Sequence, residues 1–87
     1  MTEPPRIVFP CSYPIKVMGE NLAAMQQDVL AVFAEIAELD PDVALTTRES
    51  AGGRFIGLTV TIIATGEPQL AMLNERLRAV PGVRLVL

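Results

Sequence analysis

The sequence predicts an α+β sandwich in which a four-stranded antiparallel sheet carries two helices on one face, in the chain order βαββαβ. Three observations predict it. Apolar residues alternate with period two over residues 55–63, and they recur at helical spacing over residues 22–39 and 70–80. Between the candidate second and third strands, Ser50-Ala51-Gly52-Gly53 supplies a turn. The size admits one such unit, because a chain of 87 residues buries roughly 60 % of its unfolded surface, enough for one modest core.

The elements follow in order. Pro4, Pro5, Pro10 and Pro14 exclude a helix from the start of the chain and predict an extended lead-in. Residues 15–18 alternate as a short strand with Ile15 and Val17 inward, and Gly19 breaks it. Over residues 22–39 the stripe Leu22, Met25, Val29, Val32, Phe33 and Ile36 predicts an amphipathic helix. Asn21 is its expected N-cap, and Asp40-Pro41-Asp42 its stop. Residues 43–49 form the second strand, with Val43, Leu45 and Thr47 on one side; the glycines of the next turn supply positive φ. In the third strand Ile56, Leu58, Val60 and Ile62 share one face. Thr65 is the expected N-cap of the second helix, which tolerates Pro68 in its first turn and buries Leu70, Leu73, Leu77 and Val80. Pro81-Gly82 ends it, and residues 83–87 are the last strand. Right-handed crossovers give the strand order 4-1-3-2, the ferredoxin-like arrangement.

Composition narrows the function classes. Hydrophobic residues make up 51 % of the chain and charged residues 20 %, which describes a packed globular domain. The absence of His removes imidazole bases and His-ligated metals, and one Cys excludes an intramolecular disulfide. No apolar run reaches the length of about 18 residues that a membrane span needs. The start of the chain lacks a basic segment followed by an apolar core, so a cytoplasmic location is expected. With a net charge of -3 and a single aromatic, Phe55, on the third strand, nucleic-acid binding is not expected despite a topology shared with RNA-binding domains.

Three local patterns add a resemblance. Phe9-Pro10-Cys11-Ser12-Tyr13-Pro14-Ile15-Lys16-Val17-Met18-Gly19 looks like an F-P-x-x-aromatic-x-x-K-V-x-G lead-in. Ser50-Ala51-Gly52-Gly53-Arg54-Phe55 is similar to an S-x-x-G-x-aromatic hairpin, and Val83-Arg84-Leu85-Val86-Leu87 to a V-R-x-V-L ending. Together they resemble the YbeD-like family of small, uncharacterised bacterial proteins. The resemblance implies a ferredoxin-like fold close to the ACT regulatory domain and brings no activity and no catalytic residues. Pro14, where many relatives would continue the strand, and Ile63, at a position otherwise polar, depart from the pattern. Residues 1–9 are then expected as an extended, flexible N-terminal segment and residues 10–87 as a single ACT-like domain.

Candidate sites are few. Cys11 has no His to activate it, and reads as small filler at a strand start. The carboxylates Asp28, Glu35, Glu38, Asp40 and Asp42 sit in solvated contexts, so neither acid–base catalysis nor cofactor or metal binding is expected. Ser50-Ala51-Gly52-Gly53 lacks the phosphate-loop spacing. At the junction Gly19, Asn21 and Leu22, first-turn N–H groups pointing outward would suit a carboxylate-bearing effector, a position similar to where ACT domains bind amino acids. Alternation places Ile15, Val17, Leu58, Val60 and Leu85 under the helices. It places Lys16, Met18, Thr46, Arg48, Phe55, Thr59, Thr61, Ile63, Arg84 and Val86 on the open face. Its charged members Lys16, Arg48 and Arg84 are all basic and lie beside apolar Met18 and Phe55. The expected function is a non-enzymatic regulatory or interaction module, working as a homodimer or with a protein partner through Lys16, Met18, Arg48, Phe55, Arg84 and the last strand's edge.

Overall fold

A computed structural model describes residues 8–41 and 45–87 of the chain. Its elements are β1 (Cys11–Glu20), α1 (Ala23–Ile36), β2 (Glu38–Leu39), β3 (Leu45–Glu49), β4 (Phe55–Ala64), α2 (Glu67–Arg78) and β5 (Val83–Val86). All pairings are antiparallel; β1 lies between β4 and β5, and both β2 and β3 pair with the outer side of β4. The expected second strand is present as β3, and beside it on the same edge lies a further two-residue strand, β2, from the end of the expected first helix; the order of the expected strands and the two-layer class hold. Val43 and Asp42, like the prolines at positions 4 and 5, lie outside the described residues.

The spine is the β1–β4 pair, ten residues against ten from Cys11↔Ala64 to Glu20↔Phe55. The first strand is therefore longer at both ends than residues 15–18, and neither Pro14 nor Gly19 interrupts it. Lys16 exchanges both backbone hydrogen bonds with Leu87, at 3.1 and 2.8 Å. Alternation then turns the nitrogen of Pro14 to the same side, where β5 has already ended, so its missing donor breaks no ladder bond.

Helix α1 starts and stops inside its predicted limits. Met25, Val29, Val32 and Phe33 are buried, but Leu22 is half exposed as the N-cap residue, and the Asn21 side chain caps nothing. It works across the junction instead, with Nδ2 donating to Glu49 Oε1 and to the Gly53 carbonyl, and Oδ1 accepting from Gln26 Nε2. The helix ends at Ile36 because Glu38 and Leu39 pair with Ile63 and Ile62, giving partners to the part of β4 beyond β3. Asp40 then acts as an anchor rather than a helix stop: its N–H donates to the Thr61 carbonyl and its carboxylate accepts from Ser12 Oγ at 2.8 Å.

Helix α2 likewise begins at Gly66 without a cap from Thr65. Gln69, in the third helical position, reaches back to accept from the Thr65 N–H at 2.8 Å, so Thr65 is tied to the helix start through its backbone donor and not through its hydroxyl. Leu73, Leu77 and Val80 are buried and Leu70 packs at the margin. The core lies between these two helices and the face of Ile15, Val17, Ile56, Leu58, Val60 and Ile62, with Phe33 at its centre and Phe9 against its edge. No helix among the described residues is long and apolar enough to cross a membrane.

The last strand has the opposite phase to the expected one. Val86 pairs with Val17 and is buried, whereas Leu85 pairs with Met18 and is exposed. The next pair is Gly19↔Val83, so Arg84 is the extra residue of a bulge. Counting inward from a strict alternation cannot detect that extra residue, which is why Leu85 and Val86 exchange faces.

Candidate functional site

Both helices pack on one side of the sheet, and no helix among the described residues covers the opposite side. Its side chains stand in cross-strand rows. One row runs Leu85, Met18, Gly57, Arg48 across β5, β1, β4 and β3; the next runs Leu87, Lys16, Thr59, Thr46. Phe55 closes one end, with the Arg54 guanidinium 5.7 Å from its ring centre. At the other end the Ser12–Asp40 hydrogen bond reaches across β4, and Thr61, between Pro14 and Asp40, is buried. Thr61 is thus not part of the free surface expected there, and Ile63 is only partly exposed.

Between these limits is a shallow groove of about 580 Å³ whose floor is Gly57, with Lys16 and Met18 on one wall and Thr46 and Arg48 on the other. Met18, on a central strand, remains 38 % exposed, and Phe55 at the strand end and Leu85 on the edge strand remain 40 % and 44 % exposed. Among the described residues the ion pairs are Arg76–Glu35 and Arg84–Glu20, and neither Lys16 nor Arg48 has an ion-pair partner.

Gly57 has no backbone reason to be glycine. Gly52, Gly53 and Gly82 have positive φ, and Gly19 lies against the Gly82 carbonyl, but Gly57 has neither feature. A Cβ there would meet the Arg48 carbonyl and Lys16 Cε at 3.8 Å and Met18 Cγ at 4.0 Å, all ordinary contacts. A glycine inside a strand costs about 0.5–1 kcal/mol relative to a residue with a side chain. What it provides is the hole itself. The signal was legible, a glycine inside the chain's strongest strand with no turn around it.

Of the five residues expected to form an interaction face, the structure brings Lys16, Met18, Arg48 and Phe55 together around Gly57. Arg84 is separated from them: it forms an ion pair with Glu20 at 3.4 Å at the end of the sheet, so the charges near this surface are not all basic.

The junction of Gly19, Asn21 and Leu22 is occupied by the protein's own groups. The Asn21 N–H donates to the Arg54 carbonyl at 3.0 Å and the Leu22 N–H to the Glu20 carbonyl at 2.8 Å. Those two donors do not point outward as expected, because β1 continues through Gly19 to Glu20 and carries the chain past the helix end. Cys11 is half-buried on the core side of β1, packed against the core.

The family described as "Protein of unknown function (DUF493)" matches residues 4–87. The UPF0250 protein of Nitrosomonas europaea is 38 % identical over 87 residues, covering all of both chains. That of Chromobacterium violaceum is 41 % identical over 83 residues, covering 91 % of this chain and 89 % of the relative. The chain belongs to this DUF493/UPF0250 family, in agreement with the YbeD-like resemblance of its motifs. Among solved structures, the ACT domain from the GTP pyrophosphokinase of Chlorobium tepidum superposes with a TM-score of 0.73 at 18 % identity, over 88 % of this chain and 97 % of that one. The uncharacterised protein TM1266 from Thermotoga maritima gives 0.65 at 13 % identity, over 87 % and 92 %. The fold is ACT-like.

Proposed function

We propose that this member of the DUF493 family is a non-enzymatic, ACT-like interaction module that binds a protein through the bare face of its sheet and the adjoining β5 edge. The carrying observation is the one-sided layering. Two helices cover one face, and the other presents Met18, Phe55 and Leu85 beside the cations Lys16 and Arg48, neither of which has an ion-pair partner among the described residues. Exposed apolar area rimmed by charge is the composition of an association surface rather than of a solvated sheet. A carboxylate-bearing effector at the Gly19–Leu22 junction has less support, since the N–H groups of Asn21 and Leu22 are already bonded within the chain.

The test uses wild type and the Met18→Glu and Leu85→Glu variants as baits in the native cell lysate, with far-UV circular dichroism to confirm folding. A partner held by wild type and lost by both folded variants supports the reading. A partner set that neither substitution changes overturns it.

A further inference from the structure

We propose that the groove over Gly57 receives an extended acidic segment of a partner protein, with one apolar side chain seated in the gap and flanking carboxylates held by Lys16 and Arg48. This rests on the bare-face reading and adds the chemistry of the occupant. Three features of the molecule point to it.

The first is the gap. In the row Leu85, Met18, Gly57, Arg48, the third position has no side chain, and Lys16 and Met18 lean over the space from β1. Around the place of a Gly57 Cβ stand Lys16 Cε, Met18 Cγ and the Arg48 carbonyl oxygen, at 3.8, 4.0 and 3.8 Å. Such a cleft accepts an aliphatic or aromatic side chain, and methionine adapts to its shape.

The second is charge. The chain carries a net charge of -3, yet the charged residues in the two cross-strand rows around the gap are the cations Lys16 and Arg48. Glu49 also lines the groove, but its carboxylate accepts from Asn21 Nδ2, and Glu20 is engaged by Arg84. A partner segment with carboxylates on either side of its anchor supplies the missing counter-charge.

The third is what the surface disfavours. A second copy set face to face about a two-fold axis would bring the Lys16 and Arg48 side chains of one molecule against those of the other. The groove suits an acidic partner better than itself. Thr46 and Thr59, in the row of Lys16, add hydroxyls that can hydrogen-bond a carboxylate or a peptide group.

The test is a titration of the full chain with labelled peptides of about ten residues, in which one Leu or Phe is flanked by Glu, by Gln or by Lys. The Glu-flanked peptide binds at least tenfold more tightly than the Gln-flanked one, and the advantage shrinks as salt rises. Gly57→Val fills the gap with a β-branched residue that suits a strand. It leaves the melting temperature equal or higher and weakens the Glu-flanked peptide at least tenfold. Lys16→Gln and Arg48→Gln each remove part of the preference for Glu over Gln. Equal binding of the Glu- and Gln-flanked peptides overturns the inference, as does a folded Gly57→Val that binds unchanged. Full displacement of the peptide by free glutarate at comparable affinity also overturns it, in favour of a small dicarboxylate. If no peptide binds while Met18→Glu still loses a lysate partner, the acidic assignment fails and the bare-face reading stands.

Discussion

Val17 faces Val86 across the β1–β5 pair, and both side chains are buried beneath the helices. The neighbouring pair, Met18 and Leu85, points the other way. Substituting Asp at two consecutive positions therefore gives opposite results. Val86→Asp places an unpaired charge in the core and destabilises the domain by roughly 3 kcal/mol or more. Leu85→Asp stays near the solvent and costs under about 1 kcal/mol. Urea unfolding of both variants checks this, and equal losses would contradict the phase of β5.

Val60 is fully buried in the middle of β4, between Ile15 on β1 and Leu45 on β3. Val60→Asp has no neighbour that can pair the new carboxylate and unfolds the domain. Loss of the native far-UV circular dichroism spectrum is the expected outcome. A stable, native-like variant would show that the helices do not cover this face.

Gly19 lies beside the turn that enters β5, and an added Cβ would collide with the Gly82 carbonyl. Backbone cannot rotate aside as a side chain does. Gly19→Ala therefore destabilises by about 1–3 kcal/mol through overpacking. Thermal unfolding measures it, and an unchanged melting temperature would mean that the two strands separate here at no cost.

Most of the fold was legible because burial imposes a period. The ten-residue β4, the stripe Met25, Val29, Val32, Phe33 and the pair Leu73, Leu77 all announce themselves by spacing. The errors fall where a long-range partner overrides the local signal. Asn21 and Thr65 have the chemistry of caps, yet Asn21 bonds Glu49 and Gly53, and Gln69 takes the N–H of Thr65. Glu38 and Leu39 leave the helical pattern because β4 offers them a ladder. The bulge at Arg84 is a tertiary event with no sequence period, and it moves one residue of the site to the other face. Lys16, Met18, Arg48 and Phe55 were readable as one surface by alternation alone. That Gly57 lies between them required knowing which strands are neighbours.

Cys11 packs at the margin of the core on β1 and makes no disulfide. Cys11→Ala removes a small apolar contact and lowers stability by about 1 kcal/mol. Every partner captured by wild type is retained by this variant. Loss of one on Cys11→Ala, with the fold intact, would give the thiol a role that its packing does not.

The β5 edge tests the second half of the proposed surface. Leu87 and Leu85 direct their backbone groups to β1, so alternation leaves the N–H and C=O of Val86 facing outward, unpaired among the described residues. An exposed, mostly apolar edge of this kind adds strands from a second copy or a partner. Arg84 stands beside it and neutralises Glu20. Arg84→Glu replaces that pair with two carboxylates; both positions are solvent-exposed, so folding changes by under about 1 kcal/mol. At the edge, however, each copy now carries added negative charge, and copies repel. Sedimentation from micromolar to near-millimolar concentration is expected to show association of wild type that Arg84→Glu weakens. Salt should recover part of the variant's loss by screening, while a wild-type contact built on main-chain hydrogen bonds responds little. A wild-type chain that stays monomeric throughout removes self-association from the edge. If Arg84→Glu also keeps every lysate partner, β5 has no part in binding, and the groove over Gly57 carries the interaction alone.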